Sequence, residues 1–461
     1  MRTEQGSSTL IADEQGLVLD RLSGLQKVIP IELIQQVLQA SGRVNGRRCV
    51  LSHEVMLWVV LAMGLLTHLP IRQVFKYARR WHSGEHSPCR SSLCVARQRL
   101  GVEPGRLLHQ AVVRPLAQQD APGCFYRGLR LLGIDGTVLD VPDSEANQIF
   151  GRSSGSRGAG AFPQIRKTSL VELGTHVELS FVWGGWNQGE QSLARGLWDQ
   201  IPGDALLLAD RGFYGYDHWK VLNSRTKLLL RIKNHLVLEP LKRLADGSYR
   251  AKIYRCGHDR AKDRDGIVVR VIEYTLDDPQ RTGHGEVHRL LTNLLDEQEY
   301  PALELIELYH QRWEEELVFD EQKTHQDPRR AEKAAQLRSE TPAGVEQELY
   351  ALSLAHFVVR SLMFKAAQSQ QLDVDRLSFT GCFRILQCRL PECDHRTPDS
   401  LQRWFDALLR EMLDEKIEPR RNRINPRVIK RKMSKWPKKR TRHRPLSPLT
   451  KTFAQSVVMK T

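Results

Sequence analysis

The run YHQRWEEELVFDEQK, from Tyr309 to Lys323, sets Tyr309, Arg312, Glu316 and Lys323 at offsets of 0, +3, +7 and +14 (312−309, 316−309, 323−309). At about 100° per residue in an α-helix, those offsets fall within a stripe of roughly 60°. One helix face would then carry a phenol, a guanidinium, a carboxylate and an ammonium. One of these groups can hold a metal ion and three can hold phosphate oxygens. Glu304, Glu307, Glu314, Glu315 and Glu321 crowd the same helix, and a charge-rich helix is commonly just a solvated face. Asp320 lies one turn beyond Glu316 on the same stripe, so geometry alone leaves both carboxylates open. Two segments further towards the N-terminus bear on the choice.

The first is LRLLGIDGTVLDV, Leu129 to Val141, apolar and β-branched enough to read as a buried strand with Asp135 inside it. A carboxylate in such a strand is costly unless it is paired or metal-bound. The second is ALLLADRGFYG, Ala205 to Gly215, in which an apolar run leads straight into Asp210, Arg211 and Gly212. A central strand would deliver its carboxylate to the sheet edge in this way, with a glycine turn beyond and a helix starting near Tyr216 or Asp217. The bland reading of Asp210 is a helix-capping aspartate.

The 461 residues suggest two to four domains, and 41% hydrophobic residues allow a sizeable core. The net charge of +15 favours a polyanionic partner, nucleic acid or an anionic membrane surface. The longest apolar run, Val55 to Leu66, is too short to cross a bilayer and reads as a buried helix. The N-terminal MRTEQGSS has no signal-peptide core, so a cytoplasmic protein with no membrane role is expected. The eight cysteines are scattered, without a CxxC pair, and should be reduced. Two clusters, His82, His86, Cys89, Cys94 and Cys382, Cys388, Cys393, His395, match no standard zinc spacing.

Residues 1–125 read as short helices: Pro30 to Ala40, Ser52 to Leu66, one from Pro70, and SSLCVARQRLG with Ser91 or Ser92 as cap and Gly101 as stop. Arg72, Lys76, Arg79, Arg80, Arg90, Arg97 and Arg99 make this region basic and suit it to DNA. Between residues 225 and 295 the chain alternates like strands, with Lys227, Arg231, Lys233, Lys242, Arg243, Arg250, Lys252 and Arg255 interleaved with Tyr249 and Tyr254. Such a β-rich block could grip a DNA backbone, although any half-exposed antiparallel sheet alternates in this way. Beyond Ala331 helices return, including the apolar ELYALSLAHFVVRSLMFKAA and an amphipathic helix from Leu401 to Ile417 capped by Asp399 or Ser400. The run from Arg420 to Arg444 is densely basic and broken by Pro426 and Pro437, and should stay extended until it meets an anion.

Asp135, Asp210 and Glu316 would converge if the two strands are neighbours and the helix packs on them. Two Mg²⁺ or Mn²⁺ ions about 3.5–4 Å apart would relieve the mutual repulsion of three such carboxylates. Oxygen-only ligands suit these ions better than zinc. The segments IDGTVLDVPDSEAN, LLLADRGFYG, LRSETPAGVEQELYAL and the Tyr309–Arg312–Glu316–Lys323 spacing resemble the DDE transposases of bacterial insertion sequences, of the IS-four type. RQRLG and NPRVIKRKMSKWPKKR resemble that family's N-terminal domain and C-terminal tail.

The resemblance implies an α/β fold: an RNase H-like catalytic core with a β-rich insertion, flanked by helical N-terminal and C-terminal regions. It implies Asp135, Asp210 and Glu316 as catalytic metal ligands, with Tyr309, Arg312 and Lys323 holding DNA phosphates. It also implies double-stranded DNA partners, namely terminal inverted repeats and a target, engaged by a homodimer or larger synaptic complex associated with the nucleoid. The domains expected are 1–125 (helical, DNA-binding), 126–225 and 301–365 (core), 226–300 (insertion) and 366–461 (helical region and basic tail). Some relatives stack a flipped base on a tryptophan of the insertion. No Trp lies between Trp219 and Trp313 here, so Tyr254 or Tyr274 would take that place. A nuclease that never joins strands, and a DNA-binding protein that has lost catalysis, are the alternatives.

Overall fold

The computed structural model describes residues 19–47, 49–80, 86–119, 121–155, 158–279, 284–310, 312, 314–326, 337–393, 397–418 and 451–460, with backbone alone for 314–316. Five helices come first: α1 (Ile31–Ala40), α2 (His53–Leu65), α3 (Ile71–Tyr77), α4 (Arg90–Leu100) and α5 (Glu103–Val112). Then follow β1 (Phe125–Tyr126), β2 (Leu129–Asp140), the small hairpin β3 (Ser154–Gly155) and β4 (Gly158–Ala159), β5 (Gln164–Glu172), β6 (Val177–Gly185) and α6 (Glu190–Ala194). Next are β7 (Ala205–Ala209), α7 (Tyr216–Asn223), β8 (Lys227–Arg231), β9 (Lys242–Arg243), β10 (Tyr249–Ile253), α8 (Gly257–Ala261), β11 (Ile267–Leu276) and β12 (His288–Thr292). The chain continues with α9 (Ala302–His310), α10 (Glu314–Asp320), α11 (Pro342–Gln368), α12 (Phe379–Arg389), α13 (Pro398–Asp414), α14 (Phe453–Ser456) and β13 (Val457–Met459).

These elements form two compact units. The first comprises Met1–Phe125, Asp135–Gln200 and Glu314–Ile417; the second comprises Tyr126–Ile134, Ile201–Trp313 and Glu418–Thr461. Strand β2 therefore starts in the second unit and ends in the first.

In the first unit the core is helical. Helix α2 is buried along its whole length from Val55 to Leu65 and packs on α11. Gly64 permits their close approach, since a Cβ there would land on the Ala351 carbonyl. Ser52 caps α2 by accepting from the Val55 amide at 3.2 Å. Helix α4 differs from expectation. It starts at Arg90, before Ser91 and Ser92, so those hydroxyls lie inside the first turn, 3.0 Å from Cys89 Sγ, and cap nothing. Helix α13 likewise starts earlier than expected and is closed by a capping box between Thr397 and Ser400. Helix α11 is long and apolar enough to cross a membrane, but 78% of its apolar window is buried, as in a core helix. On the sheet side of this unit, β6 pairs antiparallel with β5, and β5 neighbours β2.

The second unit is a sheet in the order β2–β7–β8–β12–β11–β10–β9. Strands β7 and β8 run parallel to their neighbours β2 and β7. Every residue of β7 is buried, as expected for a parallel strand covered on both faces. The block from 226 to 300, read as a β-rich insertion, extends the sheet of this unit. Strand β12 pairs with β8 through Leu290↔Arg231, Leu291↔Leu230 and Thr292↔Leu229, so the insertion continues the same sheet. The last described residues return to that sheet too. Strand β13 pairs with β11, and Phe453 stacks on His310 of α9 with centroids 4.0 Å apart.

The buried carboxylates of the first unit include Glu178, Glu321 and Glu348. Burial alone would raise the pKa of each. The Lys167 ammonium holds Glu178 down to about 2, while Arg360 holds Glu321 and Arg338 holds Glu348 below the usual 4.5. A depressed folded-state pKa gives stability that is complete above the unfolded value and is lost as pH falls through the folded one. The melting temperature should therefore stay level from pH 7 to about 5 and fall steadily from about 4.5 towards 2. Glu178→Gln should flatten that fall in calorimetry. A wild-type melting temperature unchanged between pH 5 and 3 would contradict this account.

Candidate active site

Strands β2 and β7 are parallel neighbours in a register that runs from Arg130↔Ala205 to Ile134↔Ala209. Asp135 and Asp210 are the next residue along each chain, and both are half-buried. The shared ladder thus stops one residue short of a carboxylate on each strand: Asp210 follows the end of β7, whereas Asp135 lies inside β2, which runs on to Asp140. Asp135 Oδ1 accepts from the Gly136 amide at 2.8 Å. Asp210 Oδ1 accepts from the Gly212 amide, and its carbonyl accepts from Phe213 N at 3.1 Å, which closes the Asp-Arg-Gly turn before α7. At Gly136 the Glu190 carboxylate, from the start of α6, occupies the space a Cβ would take and would have to swing aside for one. From the sequence Glu190 reads only as a helix start, because nothing in the spacing of residues 136 and 190 ties them together.

The stripe from Tyr309 to Lys323 is not one regular helix. The described segments are α9, then α10, then a π-helical turn, Glu321–His325, closed by Gln326 N donating to the Glu321 carbonyl at 2.7 Å. An i→i+5 turn carries more residues per turn than an α-helix, so a rotation of 100° per residue does not carry the stripe through to Lys323. Tyr309 is buried, and its hydroxyl donates to the Ala209 carbonyl at 3.3 Å, just before Asp210. The Arg312 guanidinium lies over the Tyr309 ring, 5.7 Å from its centroid. The second unit therefore gathers Asp210, Tyr309 and Arg312. In the first unit, Lys323 Nζ donates to Thr137 Oγ1 at 2.7 Å and to the Val138 carbonyl at 2.9 Å, two and three residues past Asp135. Glu316 lies in α10 of the same unit, and its side chain is outside the described atoms.

Asp135 and Asp210 are oxygen donors, each steadied by a backbone amide, and that chemistry fits a hard divalent cation. Among the described residues no group of three or more His, Cys, Asp or Glu is arranged to hold a metal. His82 and His395, one from each of the two His/Cys clusters that match no standard zinc spacing, lie outside the described residues.

Several basic residues expected to face DNA have internal roles instead. Arg79 is buried. Arg97 donates to Gln347 Oε1, Ser339 Oγ and the Gly344 carbonyl at 2.7–3.0 Å, so RQRLG locks α4 to α11. Arg72, Lys76, Arg90 and Arg99 are exposed. In the insertion, Lys252 pairs with Asp263, Arg255 with Asp217, and Arg250 donates to the Leu295 carbonyl. Tyr274 is a core ring stacked on His288, with burial pushing its pKa up to about 12, so it offers no base platform. The Tyr254 hydroxyl donates to Asp263 at 2.7 Å. A cleft of about 530 Å³ in the second unit, lined by Arg211, Arg231, Lys233, Asn234, His235 and Glu286, is the basic feature nearest Asp210 in sequence. The residues from Arg420 to Arg444 lie outside the described set.

The chain belongs to the DDE transposase family, of the IS4 type: residues 126–358 match the family "Transposase DDE domain" and residues 19–110 match "Insertion element 4 transposase N-terminal". It is 28% identical over 422 residues to the transposase InsG for insertion sequence element IS4 of Escherichia coli K12, covering 90% of this chain and 93% of that one. It is also 28% identical over 199 residues to InsZ of the same organism, covering 43% of this chain and 66% of that one. Among solved structures, the piggyBac transposase synaptic complex with hairpin DNA gives a TM-score of 0.43 at 11% identity, over 87% of each chain. The protein is a DNA transposase with an RNase H-like α/β core, a β-rich insertion and helical flanks, and its family depends on divalent metal.

Proposed function

We propose that the protein binds the terminal inverted repeats of an insertion sequence, cleaves the element ends and joins them to target DNA, with Asp135, Asp210 and Glu316 as the metal-holding carboxylates. The observation that supports this reading is the ladder that ends at Ile134↔Ala209: Asp135, inside β2, and Asp210, just past β7, each follow its last pair. Two Mg²⁺ or Mn²⁺ ions bound by these residues would supply Lewis acidity to the attacking and leaving oxygens. The chain's own part is positioning. Backbone amides of Gly136 and Gly212 aim the two aspartates. Tyr309 ties α9 to the end of β7, and Lys323 ties the π-turn to β2. Arg312 and Lys323 bring positive charge towards a phosphate, and the cleft of Arg211, Arg231 and Lys233 offers a path for the DNA backbone. A homodimer or larger synaptic complex in the bacterial cytoplasm fits a reaction that must hold two ends together.

Incubating the protein and Mg²⁺ with a 3′-hydroxyl DNA end and a supercoiled plasmid tests the reading. Joined end–plasmid product is expected, whereas hydrolysis alone would assign a nuclease. The basic tail adds a second check. Replacing Lys438, Lys439 and Arg440 by Ala should weaken end binding. It should also flatten the slope of log K against log salt, by about 0.9 for each phosphate no longer neutralised. An unchanged slope would remove the tail from the DNA interface.

A further inference from the structure

The π-helical turn Glu321–His325 is tied down on every side. Glu321 is 3% exposed, and its carboxylate accepts from Arg360 Nε at 3.0 Å, from Arg360 Nη2, and from His356 Nε2 at 2.9 Å, both residues of α11. The next residue, Gln322, accepts from Lys167 Nζ of β5 at 3.0 Å and donates to Glu178 Oε2 of β6 at 3.1 Å. Lys323 reaches β2, as described. Gln326 closes the turn and donates to the Gly64 carbonyl of α2 and the Leu352 carbonyl of α11. Behind Arg360 stands a further layer. Its Nη2 donates to His176 Nδ1 at 2.8 Å, and His176 Nε2 is 3.2 Å from Asp375 Oδ1. His176 holds a left-handed φ of +59° to put its ring there. For a residue other than glycine that backbone is uncommon and is kept only where its surroundings enforce it.

A π-turn is rare and intrinsically less favourable than the α-turn it replaces. It persists here because side chains on both sides of it are held by different elements. The turn follows α10 directly, five residues after Glu316, so its geometry sets the rotation of α10 about its own axis.

We propose that Glu321 is a positioning residue: through its buried contacts with Arg360 and His356 it holds the π-turn, and the π-turn fixes the rotation of α10, the helix on which Glu316 lies. This rests on the reading of Glu316 as a ligand. Burial alone would raise the Glu321 pKa, but Arg360 and the two histidines keep it well below the carboxylate range, so the carboxylate is charged at neutral pH. That charge touches no exposed surface and has no direct part in phosphoryl transfer. Without it the turn can relax to α geometry, and α10 rotates relative to β2.

The test is Mn²⁺ titration of the purified full-length protein without DNA, read by electron paramagnetic resonance. Wild type should show bound Mn²⁺ that Asp135→Asn removes. Glu321→Gln, nearly isosteric, should raise the Mn²⁺ concentration for half-saturation at least tenfold. Gln322→Ala, a milder loosening of the same turn, should raise it about threefold. Ile34→Ala, a cavity in the N-terminal helical core chosen to lower the melting temperature by a similar amount, should leave it unchanged. Glu321→Asp, which keeps the charge, should recover part of the loss. Wild-type Mn²⁺ binding that Glu321→Gln and Gln322→Ala leave intact, or that Ile34→Ala weakens equally, overturns the positioning role alone. No Asp135-dependent Mn²⁺ in the wild type overturns the metal reading and the positioning role together.

Discussion

Asp210→Asn should abolish end cleavage and joining, by at least about 100-fold, while end binding stays within about twofold of wild type. The floor follows from outer-shell partners of a bound metal, whose loss alone costs about 10–100-fold, and Asp210 is read as a ligand. The substitution is nearly isosteric. The amide oxygen of asparagine can still accept from Gly212 N, so the Asp-Arg-Gly turn and the start of α7 should be retained. One negative charge disappears from the face proposed to meet DNA, so binding has no electrostatic reason to weaken. Cleavage of a labelled end fragment and fluorescence anisotropy on the same fragment separate the two effects. Strand cleavage above a tenth of the wild-type rate would remove Asp210 from the chemistry.

Arg338→Met should lower the melting temperature of the first unit by about 10 °C. The Arg338 guanidinium pairs with Glu348 at 2.8 Å and donates to the carbonyls of Met63, Thr67 and Leu69 at 2.7–3.1 Å, at and just past the C-terminal end of α2. Helix carbonyls at a C-terminus lack intrahelical partners, and Arg338 satisfies that of Met63 together with two carbonyls of the segment that follows α2. Removing it leaves Glu348, 3% exposed, with only Arg97, Ser339 and backbone amides around it. Breaking a buried ion pair costs about 3–5 kcal/mol, and each kcal/mol moves the melting temperature of a unit this size by about 2–4 °C. Differential scanning calorimetry reads the shift. A change under about 3 °C would mean that the carbonyls find other donors. The segment LRSETPAGVEQELYAL, one of the carriers of the family resemblance, is thus a structural clasp, with Arg338, Ser339, Gln347 and Glu348 facing inwards.

The strand that carries Asp135 and the strand that leads into Asp210 were legible because each is an apolar run interrupted by an acid, a pattern that depends on neighbours in sequence. The helix caps were legible to within a residue or two for the same reason. The π-turn was not, because an assumed uniform helix period passes through residues 321–325 without a mark. Its anchors were invisible for a different reason. Arg360, His176 and Lys167 read as ordinary charged positions until the fold brings them to Glu321 and Gln322. Arg97 reads as a DNA contact because positive charge is visible in a sequence, whereas burial beside Gln347 is not. The final strand, Val457–Met459, had a readable β-branched signal that the dense basic run before it masked.

The way the inserted strands join the sheet has a consequence for solubility. Without them β8 would present a row of unpaired amides and carbonyls, a ready template for another chain to pair with. Strand β12 covers that rim, and the open border moves outwards to β9, two residues long, both of them charged and exposed: Lys242 and Arg243. A brief, cationic last strand resists self-association. Trimming the insertion to shorten this enzyme would therefore expose an adhesive ladder and drive the shortened chain towards fibres or inclusion bodies.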